Sequence, residues 1–316
     1  MRAAGETRFT WTITAPLGWD EEVNATDPLL DVFEEHRATL GGVAYRMLGR
    51  FADAEDVVQE AWLRWSAADR EDVHDPRGYL VRVTTRLALD RLRLAHTRRE
   101  TYVGPWLPEP VATDFGTTVP DTAERAVLAD TVSLALLVVL ESLSPLERAV
   151  FVLREAFGFP YADIAEVLDR SEAAVRQLAG RARRHVAERR PRFDVDAARR
   201  RELTERFLAA ATGGSVEDML ALLAPGVRLV GDSGGKAKAP LRVLESADKV
   251  ARFLLGVAAK PLPDPELRVV EVNGGPALLV LSRGLPDSVV SVETTDGLIT
   301  EIHVMRNPDK LTGVLP

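Results

Sequence analysis

The sequence predicts a multidomain chain, two all-α domains followed by an α+β domain, and three observations carry that prediction. Up to about residue 190 the apolar residues recur at helical spacing. Beyond Asp194 the pattern becomes mixed, with apolar runs of strand length separated by turn signals. All five lysines (236, 238, 249, 260 and 310) lie in the last third, so the C-terminal part has a composition of its own. The 316 residues, 46% hydrophobic and 28% charged, suffice for two or three cores.

Residues 1–26 show neither helical nor strand periodicity and read as a loose extension. Residues 27–103 read as three helices. In the second, Val58, Ala61, Trp62 and Trp65 form one apolar stripe, leaving Asp56, Gln59, Glu60 and Leu63 on or near the other side. The third opens at Asp75-Pro76, a cap followed by proline at the first helical position, and runs to about Arg99. Residues 104–120 hold four prolines and two glycines without periodicity and form a linker. A linker seldom leaves a large aromatic exposed, so Trp106 is expected to dock on a neighbouring domain or a partner.

Residues 121–192 are again helical, with breaks at Ser144-Pro145, Gly158-Phe159-Pro160 and Asp169-Arg170-Ser171. The last break predicts a helix-turn-helix. Its first helix is Tyr161 to Leu168, with Ile164, Ala165 and Leu168 inward; Ser171 caps the second, whose Ala174, Val175 and Leu178 face the core. In residues 193–316, helices at about 194–211 and 215–223 precede a strand near 227–230 and a helix near 246–258. Four strands follow, near 267–272, 277–281, 288–292 and 298–305, with Asp296-Gly297 as a hairpin turn. Such an order suggests a curved sheet wrapped on a helix, with room for a pocket.

Composition excludes several chemistries. The chain has no cysteine, so disulfides, thiolate metal sites and a cysteine nucleophile are ruled out. No apolar h-region marks a secretion signal, and the longest apolar stretch, around Val132 to Leu140, falls well short of the roughly 20 residues a membrane helix needs. A soluble, cytoplasmic protein without membrane contact is expected. No metal or cofactor site and no catalytic set stands out. After Asp194 there is no Tyr, Trp or Cys and a single histidine, His303, so an acid/base pair of His303 with Asp232 near Lys236 is the weaker reading beside a salt-bridged turn and a half-buried strand histidine.

The net charge of −8 conceals two basic helices. Arg77 to Arg99 contains seven arginines against Asp90, and Arg170 to Arg192 contains eight against Glu172 and Glu188. In the helix-turn-helix, Arg176 and Gln177 are placed to reach base edges, while Arg181, Arg183 and Arg184 suit phosphates.

The segments AEDVVQEAWLRW (54–65), DPRGYLVRVTTRLALDRLR (75–93) and FVLREAFGFPYADIAEVLDRSEAAVRQLAGRARRHV (151–186) resemble regions 2 and 4 of an extracytoplasmic-function (ECF) sigma factor of the sigma-70 family, in order as well as in motif. WLPEP (106–110), DSGGK (232–236) and NPDKL (307–311) resemble the hallmarks of the subgroup carrying a fused C-terminal SnoaL-like (NTF2-like) domain, the sigma factor J type. Ser233 stands where that subgroup usually has glycine.

The resemblance implies a three-helix region 2, a region 4 helix-turn-helix and a SnoaL-like cone domain, in a sigma factor that binds RNA polymerase core and a specific promoter. Asp56, Gln59 and Glu60 match the positions that bind the β′ clamp helices, and region 4 would meet the β flap. Tyr79, Arg82, Thr85, Arg86 and Arg93 match the part that opens the minus-ten element, Tyr79 standing where many relatives have tryptophan. Ser171, Arg176, Gln177, Arg181, Arg183 and Arg184 match the minus-thirty-five reader. Trp106, Leu107, Pro108, Glu109 and Pro110 would meet Asp232, Gly234, Gly235 and Lys236 together with Asn307, Pro308, Asp309 and Lys310 as an interdomain latch. The third domain would then regulate in cis, with no obligatory anti-sigma protein, and its pocket leaves a small ligand open. Two alternatives stand: a one-component helix-turn-helix regulator, or an isomerase or ligand-binding domain fused to a DNA-binding module.

Overall fold

A computed structural model describes residues 28–68, 73–99, 102–113, 132–189 and 197–314. The extension 1–26, the second half of the expected linker and the start of the domain after it lie outside the described residues.

Three helices, α1 (Pro28–Leu48), α2 (Phe51–Ser66) and α3 (Pro76–Arg99), pack on one another. The expected α2 stripe faces inward: Val58, Ala61 and Trp65 are buried, and the Trp62 ring meets Phe33 edge-on at 5.1 Å. Asp75 accepts from the amide of Gly78 at 3.0 Å and so starts α3 as expected.

The second helical group is α4 (Leu134–Leu140), α5 (Pro145–Phe151) running on into a π-helical turn at Val152–Ala156, α6 (Tyr161–Leu168) and α7 (Glu172–Arg189). Ser144 and Glu147 form a reciprocal capping box with Pro145 at the start of α5. Asp169 ends α6 in the left-handed conformation, φ 53°, and Ser171 accepts from the Ala174 amide at 3.3 Å to start α7. Both groups share one continuous core.

The last group is α8 (Ala197–Gly213), α9 (Val216–Leu220), β1 (Leu223–Asp232), β2 (Leu244–Glu245), α10 (Ala247–Ala258), β3 (Pro265–Val272), β4 (Gly275–Ser282), β5 (Leu285–Thr295) and β6 (Leu298–Met305), closed by two 3-10 turns at Pro308–Lys310 and Thr312–Val314. The sheet order is β2-β1-β6-β5-β4-β3, antiparallel except for the β1–β6 pair. Asp296-Gly297 makes the expected turn with both φ positive, and Asn273-Gly274 and Arg283-Gly284 repeat it.

Two expectations need correction. Leu223 begins β1 instead of ending a helix, because its neighbour across the sheet is Ile299 on β6. The two-residue β2, paired through Arg228 with Glu245 and Leu229 with Leu244, is too short to leave an alternating pattern.

Both faces of the sheet are apolar. On one, Leu203, Phe207, Met219 and Val250 from the helices cover Leu278, Val290 and Ile302. On the other, Leu107 and Ala112 of the linker, with Leu311 and Val314, cover Val230, Leu279, Val289 and Met305. The described part of the linker is therefore core material and not a loose spacer; Ala112 bridges Val272 at the sheet edge. Among the described residues no helix is long and apolar enough to cross a membrane.

Candidate nucleic-acid interface and interdomain clasp

The three α2 residues expected at the surface are found there. Asp56 and Gln59 are exposed and Glu60 partly so. Arg91 of α3 crosses to Asp56 at 3.0 Å and stands 3.9 Å from Glu60, which also pairs with Arg64 at 2.7 Å. Leu63, 64% exposed one turn on, adds an apolar knob to this polar surface.

The basic α3 is not free in this conformation. Arg82 pairs with Glu166 of α6, and Arg86 donates from Nε to the Val167 carbonyl at 3.0 Å. Carbonyls in the last turn of a helix lack intrahelical donors and carry the negative end of its dipole, so α6 ends in a ready seat for a guanidinium. Arg77 lies over the Phe159 ring at 5.1 Å, and Arg93 pairs with Asp90 at 3.1 Å. The Tyr79 ring rests 5.8 Å from that of Trp65. Thr85 corrects the expectation of an exposed contact: it is 0% exposed and faces the helical core.

In α7, Arg176, Gln177, Arg181, Arg183 and Arg184 all point outward. Arg176 pairs with Glu172 and sits 5.2 Å over the Tyr161 ring. Arg181 reaches Glu147 at 3.0 Å, and Arg183 stands 3.9 Å from Glu155. Burial alone would raise the Glu147 carboxyl, but hydrogen bonds from Ser144 and Arg181 and the Arg181 charge hold it below its ordinary value. Arg184 turns back to the Gly180 carbonyl at 3.4 Å, and a Cβ on Gly180 would meet nothing within 4 Å. No intramolecular crowding demands that glycine.

The WLPEP segment is clasped from both sides. Toward the third domain, the buried Asp232 carboxylate accepts from the Tyr102 hydroxyl at 2.6 Å, the Leu107 amide at 2.8 Å and the Gly234 amide at 3.1 Å. Lys310, 3% exposed, donates to that carboxylate at 2.7 Å and to the Leu107 carbonyl at 2.6 Å. Its ammonium also lies 3.8 Å from the centre of the Trp106 ring and 5.3 Å from that of Tyr102, a cation held between aromatic faces. Asn307 donates to the Tyr102 hydroxyl at 2.8 Å. Gly234, φ 56°, must be glycine, since a Cβ there would fall 2.5 Å from Asn307 Nδ2. Gly235 packs against Val103, and Lys236 pairs with Asp309 rather than with its neighbour Asp232. Pro308 opens the 3-10 turn carrying Asp309 and Lys310. Burial, then the Asp232 carboxylate, push the Tyr102 phenol above its ordinary range.

Toward the first three helices, Glu109 donates its amide to the Gly49 carbonyl at 2.8 Å, and its carboxylate accepts from the Phe51 amide at 3.1 Å. Gly49, φ 69°, leaves no room for a side chain: a Cβ would lie 2.9 Å from the Trp106 ring. Pro108 and Pro110 are buried beside these contacts. The Tyr45 hydroxyl donates to the Glu109 carbonyl at 3.1 Å and accepts from Asn273 Nδ2 at 2.9 Å, while Asn273 Oδ1 accepts from the Val111 amide at 3.1 Å. Tyr45 and Asn273 join helix α1 to the β3–β4 turn and were not singled out in the sequence. The Asn273-Gly274 dipeptide was the available signal.

The expected acid/base pair of Asp232 and His303 is not assembled. Asp232 belongs to the clasp, whereas His303, 2% exposed, faces Ser291 across β5–β6, with Nε2 3.7 Å from the Glu301 carboxylate. Two residues along the same pair of strands, Glu293 lies opposite Glu301. Burial raises Glu293 from 4.5 to about 7, against the pull of His303 and Arg200, with Glu301 adding to the rise. Burial likewise opposes the charge on Glu301, but His303 and Arg228 hold that group below its ordinary value. A carboxyl raised on folding stabilises the fold fully below about pH 4.5, and that contribution is lost as the pH rises through about 7. Melting curves of Glu293→Gln are therefore expected to fall less between pH 5 and pH 8 than those of the unaltered protein. An equal fall in both would remove this group from the pH response.

A helix-turn-helix with an exposed arginine and glutamine face, behind a three-helix unit with one acidic and one basic helix, fits a sigma-70-type transcription initiation factor. The comparisons agree: residues 32–98 match the family model Sigma-70 region 2, and residues 133–186 match Sigma-70, region 4. The chain is 42% identical over 294 residues to the ECF RNA polymerase sigma factor SigJ of Mycobacterium tuberculosis, covering 89% of this chain and 92% of that one. It is 38% identical over 289 residues to the probable ECF sigma factor SigI of the same species, covering 90% and 95%. The crystal structure of M. tuberculosis SigJ superposes with a TM-score of 0.70 at 38% identity, covering 90% of this chain and 98% of that one. The chain belongs to the ECF RNA polymerase sigma factor family and is an alternative sigma factor, two helical sigma regions followed by an α+β domain.

Proposed function

We propose that this sigma factor is regulated in cis by its third domain, which holds the two promoter-binding regions closed through the WLPEP linker. In this reading the working units are residues 27–103, 121–192 and 193–316, joined by 104–120. Asp56, Gln59 and Glu60 meet the β′ clamp helices, with Arg91 giving up its hold on Asp56 to an arginine or lysine of the partner. Region 4 meets the β flap. Arg82 and Arg86 exchange Glu166 and the end of α6 for promoter phosphates when the regions part, with Tyr79 and Arg93 beside them at the minus-ten element. Ser171, Arg176, Gln177, Arg181, Arg183 and Arg184 read the minus-thirty-five element in the major groove.

Isolated basic helices on a chain of net charge −8 bind DNA weakly. Useful affinity arises once polymerase holds both regions at promoter spacing. The protein works in the cytoplasm with polymerase, makes no covalent bond itself, and its own third domain takes the place of an anti-sigma protein. The observation that supports this most is that Glu109 and Trp106 touch the α1–α2 turn while Asp232 and Lys310 grip the same five residues from the other side.

The test is transcription in vitro with purified core polymerase and a promoter library, comparing the full chain with one truncated after Arg192. Promoter-specific transcripts whose yield changes on truncation are expected. Equal yields would overturn regulation in cis, and transcripts from neither would favour a one-component regulator acting on duplex DNA alone.

A further inference from the structure

Helix α2 starts without a local cap. Arg50 occupies the N-cap position in extended conformation, φ −131° and ψ 131°, and its side chain accepts nothing from the first turn. The first helical amide, Phe51, instead donates to the carboxylate of Glu109, 58 residues away in the linker, at 3.1 Å. That carboxylate is 3% exposed, and its other oxygen faces the Thr312 hydroxyl at 3.4 Å, in the turn just after Lys310. The Glu109 backbone is fixed in the same place by the Gly49 carbonyl and the Tyr45 hydroxyl.

We infer that Glu109 is the N-cap of α2 supplied from the linker, and thereby a positioning residue for polymerase binding: the linker, gripped by the third domain, orders the helix that carries Asp56, Gln59 and Glu60. The inference rests on the reading of α2 as the polymerase face. The physics favours it twice. Amides of the first helical turn have no intrahelical acceptor, and a carboxylate there also meets the positive end of the helix dipole in a partly desolvated setting. Asp56 and Gln59 lie within the first three turns, where loss of a cap is felt most. Movement of the linker would uncap α2 and loosen that face, so the state of the third domain reaches polymerase through a single side chain. Among the described helices α5 is capped locally by Ser144 and Glu147 and α9 by Ser215 and Asp218, while α6 and α10 start without a side-chain cap and receive none from a distant segment. At α2 the sequence Arg50-Phe51-Ala52-Asp53 lacks only the hydroxyl for the same arrangement.

That gap supplies the rescue. In the full chain, Glu109→Ala is expected to speed hydrogen exchange at the amides of residues 51–54 by about tenfold and to weaken binding to purified core polymerase by roughly threefold to tenfold. Adding Arg50→Ser gives Asp53 a local capping-box partner, and the double variant is expected to regain both α2 protection and core affinity although the linker carboxylate is still missing. Unchanged exchange in Glu109→Ala would overturn the cap. Restored protection without restored affinity would overturn its role in positioning. Asp56→Arg, measured alongside, separates the two levels: full core binding by that variant would sink the assignment of α2 as the polymerase face, whatever the exchange data show.

Discussion

Lys310→Met is expected to release the linker from the third domain, with a loss of about 3–5 kcal/mol, the range for a buried ion pair deprived of one member. Lys310 and Asp232 are 3% and 0% exposed and 2.7 Å apart. Methionine keeps most of the aliphatic stem but leaves the carboxylate without its cation, still accepting from Tyr102, Leu107 and Gly234. Those three donors place the effect toward the lower end of the range. The Leu107 carbonyl and the faces of Trp106 and Tyr102 lose the same ammonium. The readout is limited proteolysis within residues 102–113 together with thermal unfolding. A linker as resistant as in the unaltered protein would show that the apolar contacts of Leu107, Leu311 and Val314 hold the clasp without the charge.

Arg148→Met should part the two sigma regions. Arg148 is 1% exposed, donates from Nε to the Arg46 carbonyl at the end of α1 at 2.9 Å, and pairs with Glu141 at 2.5 Å. It thus seats a cation on the C-terminal carbonyls of a region 2 helix, as Arg86 does on those of α6. Its removal takes the Arg148 cation from Glu141, which lies beside Gly49 and the Trp106 ring. A cost of about 3–5 kcal/mol is expected. The absence of cysteine makes the measurement clean. Spin labels on Leu94→Cys and Gln177→Cys report the separation of α3 and α7, and Arg148→Met should shift the distribution to longer distances. An unshifted distribution would mean that the shared apolar core, with Arg82 and Arg86 on α6, closes the regions unaided.

What could be read in the sequence was local chemistry. Helix α6 runs from Tyr161 to Leu168 as expected because its punctuation is local: Pro160 before it, Asp169 able to turn left-handed after it, Ser171 to start the next helix. The three latch segments were likewise visible as motifs, and their residues do converge. Partners were a different matter. Nothing in Arg82 or Arg86 announces that the far end of another domain's helix lies opposite, since contacts 81 and 84 residues apart leave no periodicity behind. Thr85 shares a basic helix but not its exposed face, because α3 is covered on more than one side by two domains at once. Lys236 was expected beside Asp232, but Lys310 takes that place and Lys236 pairs with Asp309: both lysines lie near acids in the sequence, and only the fold decides which ammonium is buried.

The clasp also has a timetable. Lys310 follows Leu107 by 203 residues. At about 5–20 residues per second, a ribosome needs on the order of ten to forty seconds between the two. Each newly made molecule therefore passes through an interval in which both sigma regions and the linker exist and the cation that grips them does not. A nascent chain that met polymerase in that interval would meet it unclasped.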